Sequence, residues 1–170
     1  MNYILQSNNT SHCELITLLN AYWFKHRQSP YPKLSSFNFY HNDFKGLYNI
    51  FKKDKSLIYD KLNLERIEYR GTPIGLKLWI NHQLKQGNLI DFGGYIREPH
   101  SFLIADYNKK LDSYLCINAR IFTDAESVEW LPFPLLLKTY KKNIKYNNKS
   151  FNNLKVNNLH LTSGVIKFNK

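Results

Sequence analysis

Cysteine is scarce in this chain. Cys13 and Cys116 are the only two among 170 residues, too few for a disulfide framework. No stretch approaches the roughly 18 apolar residues of a membrane span. Met1 to Thr10 lacks the basic-then-apolar layout of a secretory signal. The expectation is a cytoplasmic protein without a transmembrane segment, its thiols kept reduced, or one exported without an N-terminal signal. Gly93-Gly94 lacks the Walker or Rossmann context of a phosphate loop, and neither Cys-x-x-Cys nor His-Glu-x-x-His occurs. His12, Cys13 and Glu14 are all ligand types, but consecutive residues cannot easily hold one ion together. No cofactor and no metal are therefore expected. Acids are also few: Asp and Glu number 13 against 24 Lys and Arg, for a formal net charge of +11. Such a surface attracts acidic partners. No helix-turn-helix, zinc-finger or RNP-like pattern is present, which favours an acidic protein or peptide over nucleic acid. The lysines are spread widely, with a modest cluster at Lys138, Lys141, Lys142, Lys145 and Lys149. The tract from Tyr146 to Asn153 points to a compositional bias toward Lys and Asn.

The chain does contain the material for a core: 43% of its residues are hydrophobic and 15% aromatic. Its length suits a single domain over residues 1–170. Leu15, Leu18, Leu19, Tyr22 and Trp23 recur at helical spacing and predict a helix over 12–26, apolar on so much of its circumference that it reads as central and buried. A second helix is expected over 41–53, a weaker one over 56–67, and another over 74–85, stopped by Gly87. The period then changes. Asn88 to Phe92 reads as a strand, 93–99 as a loop, and 101–107 with 113–118 as a hairpin around Asn108–Asp112. A short helix is expected over 132–142, and 155–168 alternates like one or two strands. Helices followed by an antiparallel sheet make the α+β pattern.

Ser11 and Glu14 have the spacing of a capping box, which places Cys13 in the first turn of the central helix. There the unpaired N–H groups and the helix dipole favour a thiolate, the reactive form. His100 opens the first hairpin strand and Asn118 ends its partner. The hairpin brings the neighbourhoods of 100 and 118 back together, and an Asn or Asp beside an imidazole fixes its tautomer and orientation. Asp106 is a rival for that third position, but it lies six residues along the strand. Cys116, Trp23 and Trp79 read as core, His12 as a surface residue, and Trp130 as a candidate lining of a substrate groove.

The order of Cys on a helix, His on a strand and Asn on the next strand resembles papain-like thiol enzymes. The stretch Ile80 to Gly94 and the segment from His100 through Asn118 are similar to the bacteriocin-processing peptidases of that superfamily. The His12-Cys13-Glu14 start is similar to the N-terminal domain of the butirosin-biosynthesis acyltransferase family. The likeness covers roughly residues 6 to 120. It implies a papain-like fold, with the nucleophile on a central helix packed against a C-terminal antiparallel sheet. It implies Cys13 as nucleophile, His100 as general base and then acid, and Asn118 as the residue that orients the imidazole. Gln6 would join the Cys13 N–H in an oxyanion hole. Gln6 stands seven residues before Cys13 rather than the family's usual six, so Asn8 and Asn9 compete for that role. Glu14 replaces the small residue common in peptidases, which tilts the expectation toward a specialised acyltransferase or processing peptidase. Its substrate would be a peptide or an acyl group on an acidic carrier protein. The alternative is a catalytically inactive basic module on the same fold that binds nucleic acid or an acidic protein.

Overall fold

Helix α1, Cys13–His26, is buried on nearly every side. Leu15, Ile16, Leu18, Leu19 and Ala21 are each at most 2% exposed. One side lies on the sheet. Another is covered by α2, Asn42–Lys53, and α3, Lys55–Lys61, whose Leu47, Phe51 and Ile58 join the same apolar cluster. The structure is a computed structural model, and it describes residues 13–27, 42–122, 128–152 and 161–169.

The helix expected over 56–67 is half helix and half strand. Asp54 caps α3 through its carboxylate, which accepts from the Ser56 N–H at 3.0 Å. Asn63 then turns the chain at a φ of 53°, a left-handed conformation that Asn tolerates. Strand β1, Leu64–Glu68, follows. Helix α4, Leu76–Lys85, starts two residues later than its pattern suggests. It ends before Gly87, whose φ of 83° suits glycine.

Strand β2 runs over Leu89–Tyr95, so Gly93 and Gly94 are strand residues and not a loop. Their lack of a side chain serves close packing. A Cβ on Gly93 would lie 3.0 Å from the Thr162 backbone, and one on Gly94 would lie 2.7 Å from Thr139 Oγ1. Strand β3, Pro99–Asn108, and β4, Ser113–Ile117, form the expected hairpin, with Asn108 opposite Ser113 and Leu103 opposite Ile117 and a register shift between Ile104 and Asp106. Two features go beyond the sequence pattern: a strand β5, Val128–Pro132, and a helix α5 that covers Phe133–Asn152 rather than 132–142. Of the one or two strands expected over 155–168, residues 155–160 lie outside the described residues, and the tail contributes strand β6, Gly164–Phe168.

The six strands form one sheet in the order β1-β6-β2-β3-β4-β5, with every neighbouring pair antiparallel. The fold is thus mixed helix and sheet, as expected, but not helices followed by sheet. Strand β1 precedes α4, and β6 returns after α5 to lie between β1 and β2. Side-chain alternation divides the core. Leu89, Leu103, Ala105 and Ile117 face α1 to α3, while Ile90, Phe92, Phe102 and Ile104 face α4 and α5. Among the described residues, no helix is long and apolar enough to cross a membrane.

Candidate active site

Cys13 is the first residue of α1 and is 4% exposed. Its carbonyl accepts from Thr17 Oγ1 at 2.8 Å, one helical turn on. Thr17 Oγ1 lies 3.1 Å from Ser101 Oγ in β3, and the Ser101 main-chain N–H points at the Cys13 thiol. The thiol therefore meets the sheet one residue beyond His100. This is the end of β3 that β4 leaves uncovered, since their pairing begins only at Leu103 and Ile117.

Behind Ser101 lies a polar network that the sequence pattern does not announce. Ser101 Oγ donates to the Asp91 carboxylate, and Arg66 Nε donates to the other Asp91 oxygen at 2.8 Å. Arg66 Nη2 also reaches the Thr162 carbonyl at 2.6 Å. Burial works against the Arg66 charge, yet Asp91, Glu14 and Tyr59 together hold its pKa above the ordinary arginine value. The one available signal was an acid inside the apolar strand Leu89-Ile90-Asp91-Phe92. Its partner lies 25 residues away, beyond what local pattern reveals.

His100 is buried and oriented by Asn118. His100 Nε2 is 2.6 Å from the Asn118 main-chain carbonyl oxygen. A carbonyl only accepts, so Nε2 carries the proton and Nδ1 is the basic nitrogen. Asn118 takes this position with a φ of 66°, just past the end of β4. The imidazole also stacks against Phe102, centroids 6.0 Å apart. His100 is paired with Gly94, whose open side faces Thr139 of α5. The ring thus belongs to the α5 side of the sheet, while Ser101 faces α1. No hydrogen bond among the described residues joins the Cys13 thiol to the His100 ring.

The electrostatics correct the expectation of an easily ionised thiol. Burial, above all, pushes the Cys13 pKa up to about 12; the Asp91 and Glu14 charges add to the rise, and the Ser101 and Glu14 N–H groups only reduce it. Burial likewise lowers the His100 pKa to about 4, with Arg120 acting in the same direction and the Asn118 carbonyl against it. At neutral pH both groups are uncharged. The favourable place at a helix N-terminus is outweighed by loss of solvent.

The other candidates fall as follows. Gln6, Asn8, Asn9, Ser11 and His12 lie outside the described residues, so the oxyanion donor and the capping box do too. Glu14 is taken up by α3: both of its oxygens are 2.9 Å from Lys55 Nζ. Asp106 is exposed and accepts from the Tyr107 N–H at 2.8 Å, away from the imidazole. Cys116 is fully buried in the α4–α5 core. Trp23 and Trp79 are half-buried and Trp130 is 44% exposed. Among the described residues, no group of three or more His, Cys, Asp or Glu side chains is placed to hold a metal ion. No protein-family model and no curated protein matches the chain.

Proposed function

We propose that this chain is a papain-like acyl-transfer enzyme that uses Cys13 as nucleophile and acts on a peptide or on an acyl group carried by an acidic protein. One observation carries the reading. The thiol at the head of the central helix lies beside the main-chain N–H of Ser101, the residue after a histidine whose basic nitrogen is set by Asn118. In the reaction, Cys13 Sγ bonds to the substrate carbonyl carbon while its proton passes to His100 Nδ1 around the end of β3 that β4 leaves uncovered, the route this mechanism requires between the α1 side and the ring. The Cys13 N–H and, by family likeness, Gln6 would stabilise the oxyanion. His100 then returns the proton to the leaving group, whose bond to the acyl carbon breaks, and a thioester remains. Water or an amine attacks that thioester, His100 takes the attacker's proton, and the proton ends on the departing Sγ.

The resting pair is neutral, so this is a thiol assisted by a general base and not a preformed thiolate–imidazolium pair. Burial is the largest cause of both pKa shifts. Admitting substrate and water to the pair therefore brings the two values toward each other. Turnover of a small acyl thioester, such as an N-acetylcysteamine ester, tests the reading through release of free thiol. Cys13→Ala should abolish it, and His100→Gln should lower kcat by about 10²–10⁴. Equal rates in all three proteins would refute the assignment.

The burial of Cys13 favours a second reading, an inert thiol in a basic binding module. On that reading Cys13→Ala leaves function intact, and added salt abolishes binding.

A further inference from the structure

Helix α5 carries five lysines and no acidic residue. Lys138, Lys141, Lys142, Lys145 and Lys149 are all exposed. At 3.6 residues per turn they fall within an arc of about 100° and span about 17 Å along the axis. The opposite arc is the buried one, formed by Leu136, Thr139, Tyr140 and Asn143. The sheet-facing side thus anchors the helix and its outer side is a single lysine stripe. Two lysines elsewhere are in ion pairs, Lys55 with Glu14 and Lys77 with Asp112. Among the described residues, none of the five α5 lysines enters an ion pair. Like charges so close together repel, so the stripe lowers its own energy when it meets carboxylates.

We infer that this face of α5 is a docking surface for an acidic helix on a partner protein. Charge complementarity and geometry both point to that occupant. Lys138, Lys141 or Lys142, Lys145 and Lys149 stand three or four residues apart along one helix, so a second helix with Glu or Asp at the same spacing meets them in register. The stripe contains no arginine, the residue suited to bidentate phosphate contact and to stacking on bases. Its nearest ring is engaged within the protein: Lys142 Nζ sits 4.7 Å from the Tyr95 centroid, and Tyr95 packs on Tyr146 at 5.4 Å. Among the described residues, no row of open aromatic platforms accompanies the lysines, as single-stranded nucleic acid would use.

The stripe also borders the candidate site. Tyr95 is paired across the sheet with Pro99, the residue before His100, and the His100 ring lies on the α5 side. A partner along α5 therefore passes the strand ends that carry His100. The inference rests on the acyl-transfer reading only for this alignment; the docking itself does not need Cys13.

The test uses the full chain and three fluorescent probes of equal charge. These are a 20-residue helical peptide with Glu along one face, its scrambled version, and a single-stranded DNA. Anisotropy should show the helical peptide bound more tightly than either other probe, with affinity falling steeply as salt rises. Each Lys→Ala on the stripe should weaken binding by about threefold. The combined variant Lys138→Glu, Lys142→Glu, Lys145→Glu, Lys149→Glu should abolish it, while Lys52→Glu with Lys53→Glu on α2 should leave it unchanged. Equal loss in the α2 variant, tighter binding of the DNA, equal binding of the scrambled peptide, or no binding at low salt would each overturn the inference. Cys13→Ala should bind the peptide like the wild type. If that variant binds but the wild type shows no thioester turnover, the acyl-transfer reading fails while the docking surface stands.

Discussion

His100 is held in one tautomer by an atom that can only accept, the Asn118 carbonyl oxygen at 2.6 Å, and burial keeps its ring uncharged. This has a consequence for stability. The folded-state pKa of about 4 lies below the ordinary 6.5, so the unfolded chain binds the extra proton first as pH falls. The stabilisation is complete above about 6.5 and is lost progressively toward 4, a total on the order of 3 kcal/mol. Urea midpoints between pH 4 and 7.5 should show this slope in the wild type and a shallower one in His100→Gln. Cys13 acts at the other end of the scale. Its pKa is raised from 9.0 to about 12, so its contribution is full below about 9 and declines as pH rises beyond it. Asp91 is the residue on which the polar network depends, because it accepts from both Arg66 and Ser101. Asp91→Asn leaves a partly buried guanidinium without its counter-charge and should cost roughly 3 kcal/mol. Arg66→Met in the same chain should recover part of that loss in a double-mutant melt.

At the scale of elements, β2 fits between its neighbours because two of its residues have no side chains. The Gly94 clash is with the Oγ1 of Thr139, a side-chain atom, whereas the Gly93 clash is with the Thr162 backbone. Gly94→Ala should therefore destabilise the protein and be largely relieved by Thr139→Ala. No side-chain substitution should relieve Gly93→Ala, and thermal midpoints of the two pairs distinguish the cases. The same glycines show why part of the fold was not legible in the sequence. Helical period identified α1, α2 and α4, and alternation around Asn108 to Asp112 identified the hairpin, because those signals are local. Gly93-Gly94 read as a loop because glycine usually marks one. Its place in a strand depends on Thr139 and Thr162, far away in the chain. Residues 64–67 read as helix because Leu64 and Ile67 also suit a helical spacing; only the left-handed turn at Asn63 and the pairing with β6 make them part of a strand. The site divides the same way. The order of Cys13, His100 and Asn118 could be read along the chain, but not the opposite facing of His100 and Ser101, nor the tie between Arg66 and Asp91.

The described residues form one antiparallel sheet with helices on both faces, and β6 lies inside the sheet rather than at an edge. Loss of β6 would leave β1 without its neighbour and expose one side of β2. Deletion of residues 161–170 should thus abolish a cooperative thermal transition, not merely lower its midpoint, as circular dichroism would show. The same architecture sets the two proposed sites on different elements. The α1 face presents the thiol at the open end of β3, and the α5 face carries the lysine stripe beside the strand ends that hold His100. The central claim is that Cys13 takes up an acyl group with the help of His100. Rapid quenching after addition of an acyl thioester, followed by intact mass and peptide mapping, tests it most directly. The account predicts a single acyl adduct on Cys13, none in Cys13→Ala, and much slower formation in His100→Gln. An adduct on Cys116 or a lysine instead, no adduct at all, or formation on Cys13 at the same rate without His100 would contradict it.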